Sequence, residues 1–447
     1  MGTEPTYLKR AADASLEIPD DVRESVRDIV ETVRADGDAG VRALTRRFDD
    51  VERTDLRVSD DELAAAADSL STTERRAIDN TIANVRAFHE EQAANLDGFE
   101  TEFHPGVTLG TRLVPVERAG VYVPGGRHPL VAAPAMTIVP ATVVGVDTVV
   151  ACAPPQADGS VQAAQLYAMD RAGADEIYVA GGAQAIAAMA YGTETVPAVD
   201  EITGPGNVYV TEAKRQVFGH VGIDFLAGPS EVLCLTNETS DPAMVATDLL
   251  AQAEHDPRSR PILVATDEAV AAAVVDELHA QLPALRTEAT ARECWETNGE
   301  VVVVDDLAAA ADVANDYAIE HLQVMIDEPR QLLDDLHNYG SLFLGHHAPV
   351  VFGDKAVGTN HTLPTLAVAR YSGGINVTTY LKVLTHQELT AAGADGIAPW
   401  AAKICEMEGT HAHQLSAEKR IVSASSRELA RELDLDSGGG VDLSEEP

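Results

Sequence analysis

From Thr111 to Leu344 the chain changes its hydrophobic period again and again, from strand-like runs to helix-like ones. That alternation constrains the fold more than any other feature. Thr148–Cys152, Glu176–Ala180, Glu201–Thr203 and Ile223–Leu226 read as strands, with helices predicted over 161–171, 183–191 and 208–218. A second series follows. Strands are predicted over 231–235, 261–266, 301–304, 323–326 and 341–344, and helices over 243–255, 268–281, 307–317 and 331–337. Strand followed by helix implies parallel sheets with right-handed crossovers. The expected fold is therefore α/β, with two Rossmann-like doubly wound modules. Before them, 20–34, 39–48 and 72–96 have helical periodicity, and from Thr378 the chain reads as mostly helical.

Aromatic residues make up only 4% of the chain, so the cores must come from Ala, Val, Leu and Ile. There are 72 acidic against 32 basic residues, a formal charge of −40. Nucleic acid is excluded as a partner by that balance, because a phosphate backbone needs a basic surface. The acids are spread along the chain and interleaved with apolar residues, as in a folded protein. Such a surface repels itself in dilute buffer, and at molar salt a Debye length of ~3 Å screens the repulsion. A very salty, halophilic cytoplasm is the expected setting. Cys152, Cys234, Cys294 and Cys405 form no C-x-x-C pair, and Cys152 and Cys234 read as buried thiols. The opening Met1–Asp20 is polar and predicts no signal peptide. No apolar run reaches the ~20 residues of a membrane helix. A soluble, cytoplasmic protein is expected.

Asp241-Pro242 is a good helix start, an N-cap acid followed by proline. In the helix it opens, Gln252 and His255 are three apart and share a face. An imidazole and an amide oxygen can reach one point there. A carboxylate and a second His from elsewhere would complete a mixed N/O site, which suits zinc or manganese better than calcium. The bland alternative is a polar helix face. Glu320-His321 puts an acid and an imidazole side by side before an apolar run, able to serve two proton transfers, or simply to lie on a surface. Asp354 and His361 fall in a long loop, and Glu408 and His413 are placed on a loop or at a helix start. Val121-Tyr-Val-Pro-Gly-Gly126, Gly181-Gly-Ala-Gln184 and Gly204-Pro-Gly-Asn207 are glycine turns between strand and helix, where backbone amides can approach an anion. No complete G-x-G-x-x-G is present, so these turns alone do not make a standard dinucleotide fingerprint.

Taken together, Glu117–Gly126, Gly204–Asn207, Ala227–Val232, Leu250–His255, Glu320–Leu322, Gly358–Pro364, Ala369–Gly374 and Glu408–His413 resemble the histidinol dehydrogenase family, over about Ile18–Leu433. The resemblance implies NAD-dependent oxidation of L-histidinol to L-histidine through an aldehyde, the last step of histidine biosynthesis. It implies metal ligands at Gln252, His255, Asp354 and His413, holding one zinc, or manganese in its place, per active site. His321 matches the base that takes the alcohol proton, and Glu320 the base that activates water. Ser230, His361 and Glu408 match substrate-contacting positions, joined there by the metal ligands and His321. Tyr122, Gln184 and Asn207 match NAD-contacting positions. A homodimer with shared sites is implied, with Glu408 and His413 completing the partner's site. The metal motif departs from the family pattern: Thr410 replaces a commonly apolar residue, and His411 adds a second imidazole, although the spacing from Glu408 favours His413. Arg127-His-Pro-Leu-Val131 is also unlike the commoner version.

The expected division is an arm (1–18), a first α/β domain (19–122 with 232–375), a second, NAD-binding α/β domain (123–231), a small C-terminal domain (376–434) and a disordered acidic tail (435–447). Rival readings are a dehydrogenase of the same superfamily acting on another small polyol or amino alcohol, a metal-dependent hydrolase, and a binding protein without catalysis.

Overall fold

The structure is a computed structural model, and it describes residues 5–11, 18–125 and 129–435. The expected tail beyond Leu435 and part of the expected arm lie outside the described residues, as do Gly126, Arg127 and His128.

In chain order, β1 (Thr6–Lys9) precedes α1 (Asp20–Asp49), α2 (Asp60–Ser69) and α3 (Thr72–Ala94). A hairpin of β2 (Phe99–His104) and β3 (Val107–Pro115) follows. The first wound series is β4 (Arg118–Tyr122), α4 (Ala133–Val143), β5 (Thr148–Ala153), α5 (Ala163–Ala172), β6 (Glu176–Val179), α6 (Gly182–Tyr191), β7 (Glu201–Thr203), α7 (Val208–Val217) and β8 (Gly222–Ile223). The second is β9 (Glu231–Thr236), α8 (Pro242–Ala253), β10 (Arg260–Ala265), α9 (Glu268–Gln281), α10 (Glu288–Asn298), β11 (Glu300–Val303), α11 (Leu307–Tyr317), β12 (Ile319–Val324), β13 (Tyr339–Leu344) and the short α12 (Val350–Lys355). The chain ends with β14 (Leu381–Leu389), α13 (Ala391–Met407), α14 (His411–Glu418) and α15 (Ala424–Glu432).

Two compact units emerge. The first comprises the chain to Ala94 and Pro115–Tyr380; the second joins Asn95–Val114 to the chain from Leu381 on. The first unit holds two sheets among the described residues, a five-stranded one ordered β6-β5-β4-β7-β8 and a six-stranded one ordered β1-β11-β10-β9-β12-β13. All pairings in the five-stranded sheet are parallel. The six-stranded sheet is parallel except for β1, which runs antiparallel along β11. The second unit carries a sheet ordered β14-β3-β2 and the last three helices.

Alternation of side chains explains why each parallel sheet is covered on both faces. Val149, Ala151 and Ala153 of β5 enter one core, and Val150 and Cys152 the other. In β9, Val232 and Cys234 face one core and Leu233 and Leu235 its opposite. Both faces are buried, so the strands read as continuous apolar runs. Each fully buried Val or Leu contributes ~1.5–3 kcal/mol. Cys152, Cys234 and Cys294 are buried free thiols, and Cys405 is half-buried and free. No described helix is long and apolar enough to cross a membrane.

Several elements differ from the sequence expectation. The two predicted helices over 20–34 and 39–48 are one element, kinked at Gly37, where φ is +54°. A side chain at Gly37 would strike the Glu194 carboxylate, which accepts the Asp38 N–H at 2.7 Å. Helix α2 was not anticipated, although its capping box, Ser59 with Glu62, is legible. The helix expected over 331–337 is only a 3-10 turn, Pro329–Leu332. The C-terminal region is not purely helical, because β14 pairs with β3, a partner far away in sequence.

Candidate active site and dinucleotide cavity

Strands β9 and β12 are parallel neighbours, with His321 paired to Val232. Glu320 and His321 therefore sit inside β12, not ahead of a later strand, and next to the start of β9. Glu231 organises both. Its N–H donates to Glu320 Oε2 at 2.7 Å, and its carbonyl lies 2.8 Å from His321 Nδ1. A carbonyl can only accept, so Nδ1 carries the proton of that bond and Nε2 faces away from it. His321 Nε2 is buried and has no hydrogen-bond partner. It is 3.5 Å from Asp354 Oδ1, too long for a direct hydrogen bond. The Glu231 side chain is itself fixed, by Arg260 at 3.0 Å and by the Leu366 N–H at 3.0 Å. Leu366 and Ala367 both have positive φ, a strained pair of residues beside the site.

Asp354 belongs to α12, not to the open loop expected for it, with Lys355 Nζ 3.7 Å from its Oδ2. Gln252 is buried near the end of α8, and the helix stops before His255, ahead of Asp256-Pro257. The His255 N–H still reaches the Gln252 carbonyl at 3.3 Å, which keeps the two residues together. His361 has a buried, unpartnered Nε2, and Ser230 is half-buried just before β9.

Burial pushes the Glu320 carboxyl up, to about 8, against the opposing pull of the His321 charge. His321 is also raised: burial lowers it, and the Glu320 and Asp354 carboxylates outweigh burial. Asp354 is held below the usual carboxylate range, because His321, His361 and Lys355 outweigh its burial. Burial lowers His361, to about 4, and lowers His255 as well. The His255 ring remains exposed in this chain, which argues for a weaker shift there than at His361.

The donor set in the first unit fits a divalent metal. Gln252 offers a buried amide whose nitrogen finds no partner, His255 and His361 are neutral imidazoles, and Asp354 is an ionised carboxylate. Among the described residues, no three His, Cys, Asp or Glu groups are already gathered as a metal cluster. Glu408 and His413 belong to the second unit. Glu408 caps α13, and His413 lies in the first turn of α14, both exposed.

In the five-stranded sheet the chain winds outward from β4 through β5 to β6, then returns to β7 on the other side. Such a reversal opens a crevice at the carboxyl ends of the strands. A cavity of about 690 Å³ is lined there by Tyr122 at the end of β4, Gln184 in α6, and Asn207 ahead of α7. Tyr122 accepts the Gly182 N–H at 3.0 Å, and the Asn207 side chain caps α7 through the Tyr209 and Val210 amides. Gly204 has φ +115°, and a side chain on it would strike the Tyr122 carbonyl. A buried ion pair of Lys214 and Asp224 holds this turn. Lys214 donates to the Gly204 carbonyl at 3.1 Å, and Asp224 accepts the Gly204 N–H at 2.9 Å. A second cavity, about 250 Å³, is lined by His361 and Lys355, and Pro129 lines both.

A model of the histidinol dehydrogenase family matches residues 13–421. The chain belongs to the histidinol dehydrogenase family. By that membership it is an NAD-dependent oxidoreductase. It is 43% identical over 418 residues to the histidinol dehydrogenase homolog of Shouchella clausii, covering 93% of this chain and 98% of that one. It is 43% identical over 402 residues to the histidinol dehydrogenase of Methanothermobacter thermautotrophicus, covering 90% and 94%. The crystal structure of histidinol dehydrogenase from Elizabethkingia anophelis superposes with a TM-score of 0.87 at 35% identity, covering 92% and 94%.

Sequence reasoning missed Glu231 as the scaffold of the acid–base pair, and Lys355 beside Asp354. Glu231 lies within a quoted motif. Its part is played largely by backbone atoms, which side-chain chemistry does not advertise.

Proposed function

We propose that this enzyme oxidises L-histidinol to L-histidine in two NAD-dependent steps, within histidine biosynthesis. The observation that carries the reading is the Glu320–His321 pair, both members tied to Glu231, with His321 Nε2 left unpartnered. A primary alcohol cannot lose hydride until its proton is taken, and His321 Nε2 takes it as hydride passes to NAD. The aldehyde cannot lose hydride until water adds. Glu320, whose burial raises its affinity for a proton, takes the proton from that water when it is ionised. His321, having released its first proton, takes one from the hydrate as hydride reduces a second NAD and the carboxylate forms.

Gln252, His255 and Asp354, with His413 of a second subunit, would hold a zinc or manganese ion, whose chemistry is to bind and orient the substrate's nitrogens. Ser230, His361 and Glu408 contact the substrate, and Tyr122, Gln184 and Asn207 contact NAD. The working form is a cytoplasmic homodimer with shared sites, in a very salty cell. Mixed dimers of His255→Ala and His413→Ala chains should regain activity that neither parent has; no recovery after verified subunit exchange would remove the sharing.

The decisive assay uses purified protein in molar KCl with zinc or manganese, L-histidinol and NAD. Two NADH per histidinol are expected. One would mark a simple alcohol dehydrogenase, and none a hydrolase or a binding protein. A second reading has one support: relatives named histidinol dehydrogenase and histidinol dehydrogenase homolog are equally similar to this chain. A higher kcat/KM for another amino alcohol or small polyol in the same assay would favour it.

A further inference from the structure

The cavity that takes NAD on the reading above is electrically uneven. Residues opening α6 and α7, both ten residues long, line it: Gly182, Ala183 and Gln184 on one helix, Asn207 and Tyr209 at the other. Helix N-termini present amides and partial positive charge, the natural seat for a diphosphate. Another part of the wall has the opposite character. It is the C-terminal end of α1, where Phe48 and Asp49 line the cavity. Helix C-termini carry partial negative charge. Asp49 is the last residue of α1, and Asp50 after it turns the chain with φ +55°. Among the described lining residues Asp49 is the one charged side chain, and no Lys or Arg stands with it.

The Asp49 carboxylate is also unused by the protein. Its Oδ2 is buried and has no hydrogen-bond partner, and burial raises the carboxyl above its ordinary range. An acceptor left this way gains most from a donor that arrives with the ligand. NAD carries such donors in the hydroxyl pair of its adenosine ribose. Its 2′-phosphorylated form replaces one of them with a dianion.

We infer that Asp49 is the residue that selects NAD over NADP, accepting a hydrogen bond from the adenosine ribose hydroxyls and repelling a 2′-phosphate. The inference rests on the cavity being the dinucleotide site. A carboxylate that accepted from the adenine amine would serve both dinucleotides equally, and the two roles part experimentally.

The test compares wild type, Asp49→Asn and Asp49→Ser in molar KCl, with kcat/KM for NAD and NADP and dissociation constants for both dinucleotides by titration calorimetry. Asparagine keeps the shape and removes the charge, and unchanged melting verifies the fold. The NAD-to-NADP ratio of kcat/KM should fall at least about tenfold in both variants, through KM and dissociation constant with kcat little changed. Gln184→Ala is the control for the cavity. If it weakens NAD binding while the Asp49 variants keep the ratio within about twofold, or lose both dinucleotides equally, the assignment of Asp49 is wrong. If neither Gln184→Ala nor the Asp49 variants alter NAD binding, the reading of the cavity itself has failed.

Discussion

Replacing Lys214 by methionine tests the support beneath the glycine turn most directly. Methionine keeps most of the apolar stem and removes the ammonium. The Lys214 and Asp224 side chains are 4% and 1% exposed, so water cannot solvate the aspartate left behind. Breaking a buried pair from one side costs about 3–5 kcal/mol, mostly the penalty of the stranded charge. Since 1.4 kcal/mol is a factor of ten, the folded-to-unfolded ratio should drop by more than about a hundredfold. The Gly204 carbonyl also loses its donor, which frees the turn that ends at Asn207, so KM for NAD should rise as well. Urea unfolding followed by circular dichroism, in molar KCl, measures the first effect. A cycle with Asp224→Asn and the double variant isolates the pair. Neutralising both partners should recover much of the loss, with a coupling of about 1.5 kcal/mol or more. A loss below about 1 kcal/mol for Lys214→Met, or strict additivity in the cycle, would refute the view of this pair as a stressed, mutually dependent unit.

Other outcomes follow from the same geometry. Glu320→Gln should leave alcohol oxidation largely intact and cut aldehyde oxidation by about 100-fold or more, read as one NADH per turnover in place of two; equal loss in both half-reactions would contradict the division of roles. Burial, then Asp224, raises Glu201 from 4.5 to about 8, against the pull of Lys214. Its favourable contribution is complete below the unfolded value and is lost as pH rises through the folded one, so wild type should weaken relative to Glu201→Gln between about pH 4.5 and 8, by up to ~1.4 kcal/mol per pH unit; parallel stability curves would count against it. With a net charge of −40, the melting temperature should climb by many degrees between dilute and molar KCl, and a flat response would remove the argument for a salty cytoplasm.

The two wound sheets were readable because parallel strands buried on both faces leave dense apolar runs, as in Thr148–Ala153 and Glu231–Thr236. What escaped is non-local or polar. The start of β12 was missed because its Glu320 and His321 are polar residues in a buried strand, where function overrides pattern. Strand β14 has exposed residues at most of its positions, and its pairing with β3 leaves no local trace. Gln252 and His255 stood out by their spacing on one helix face, whereas Asp354 and His361 stood out only through the family resemblance. That a six-residue helix carries Asp354 was not legible, because so short a helix has little periodicity to display. Tyr122, Gln184 and Asn207 line one cavity because the strand order reverses there, a property of topology that no single motif encodes.

The second unit is sewn from two ends of the polypeptide, the hairpin near residue 100 and everything after Leu381. On the ribosome, that two-stranded ribbon emerges with no third strand to lean on, and such ribbons are marginal in water. The open margin of β3 stays unpaired until Leu381–Leu389 has been made, because β14 is the strand that covers it. Nascent chains halted before β14 would therefore present an adhesive edge.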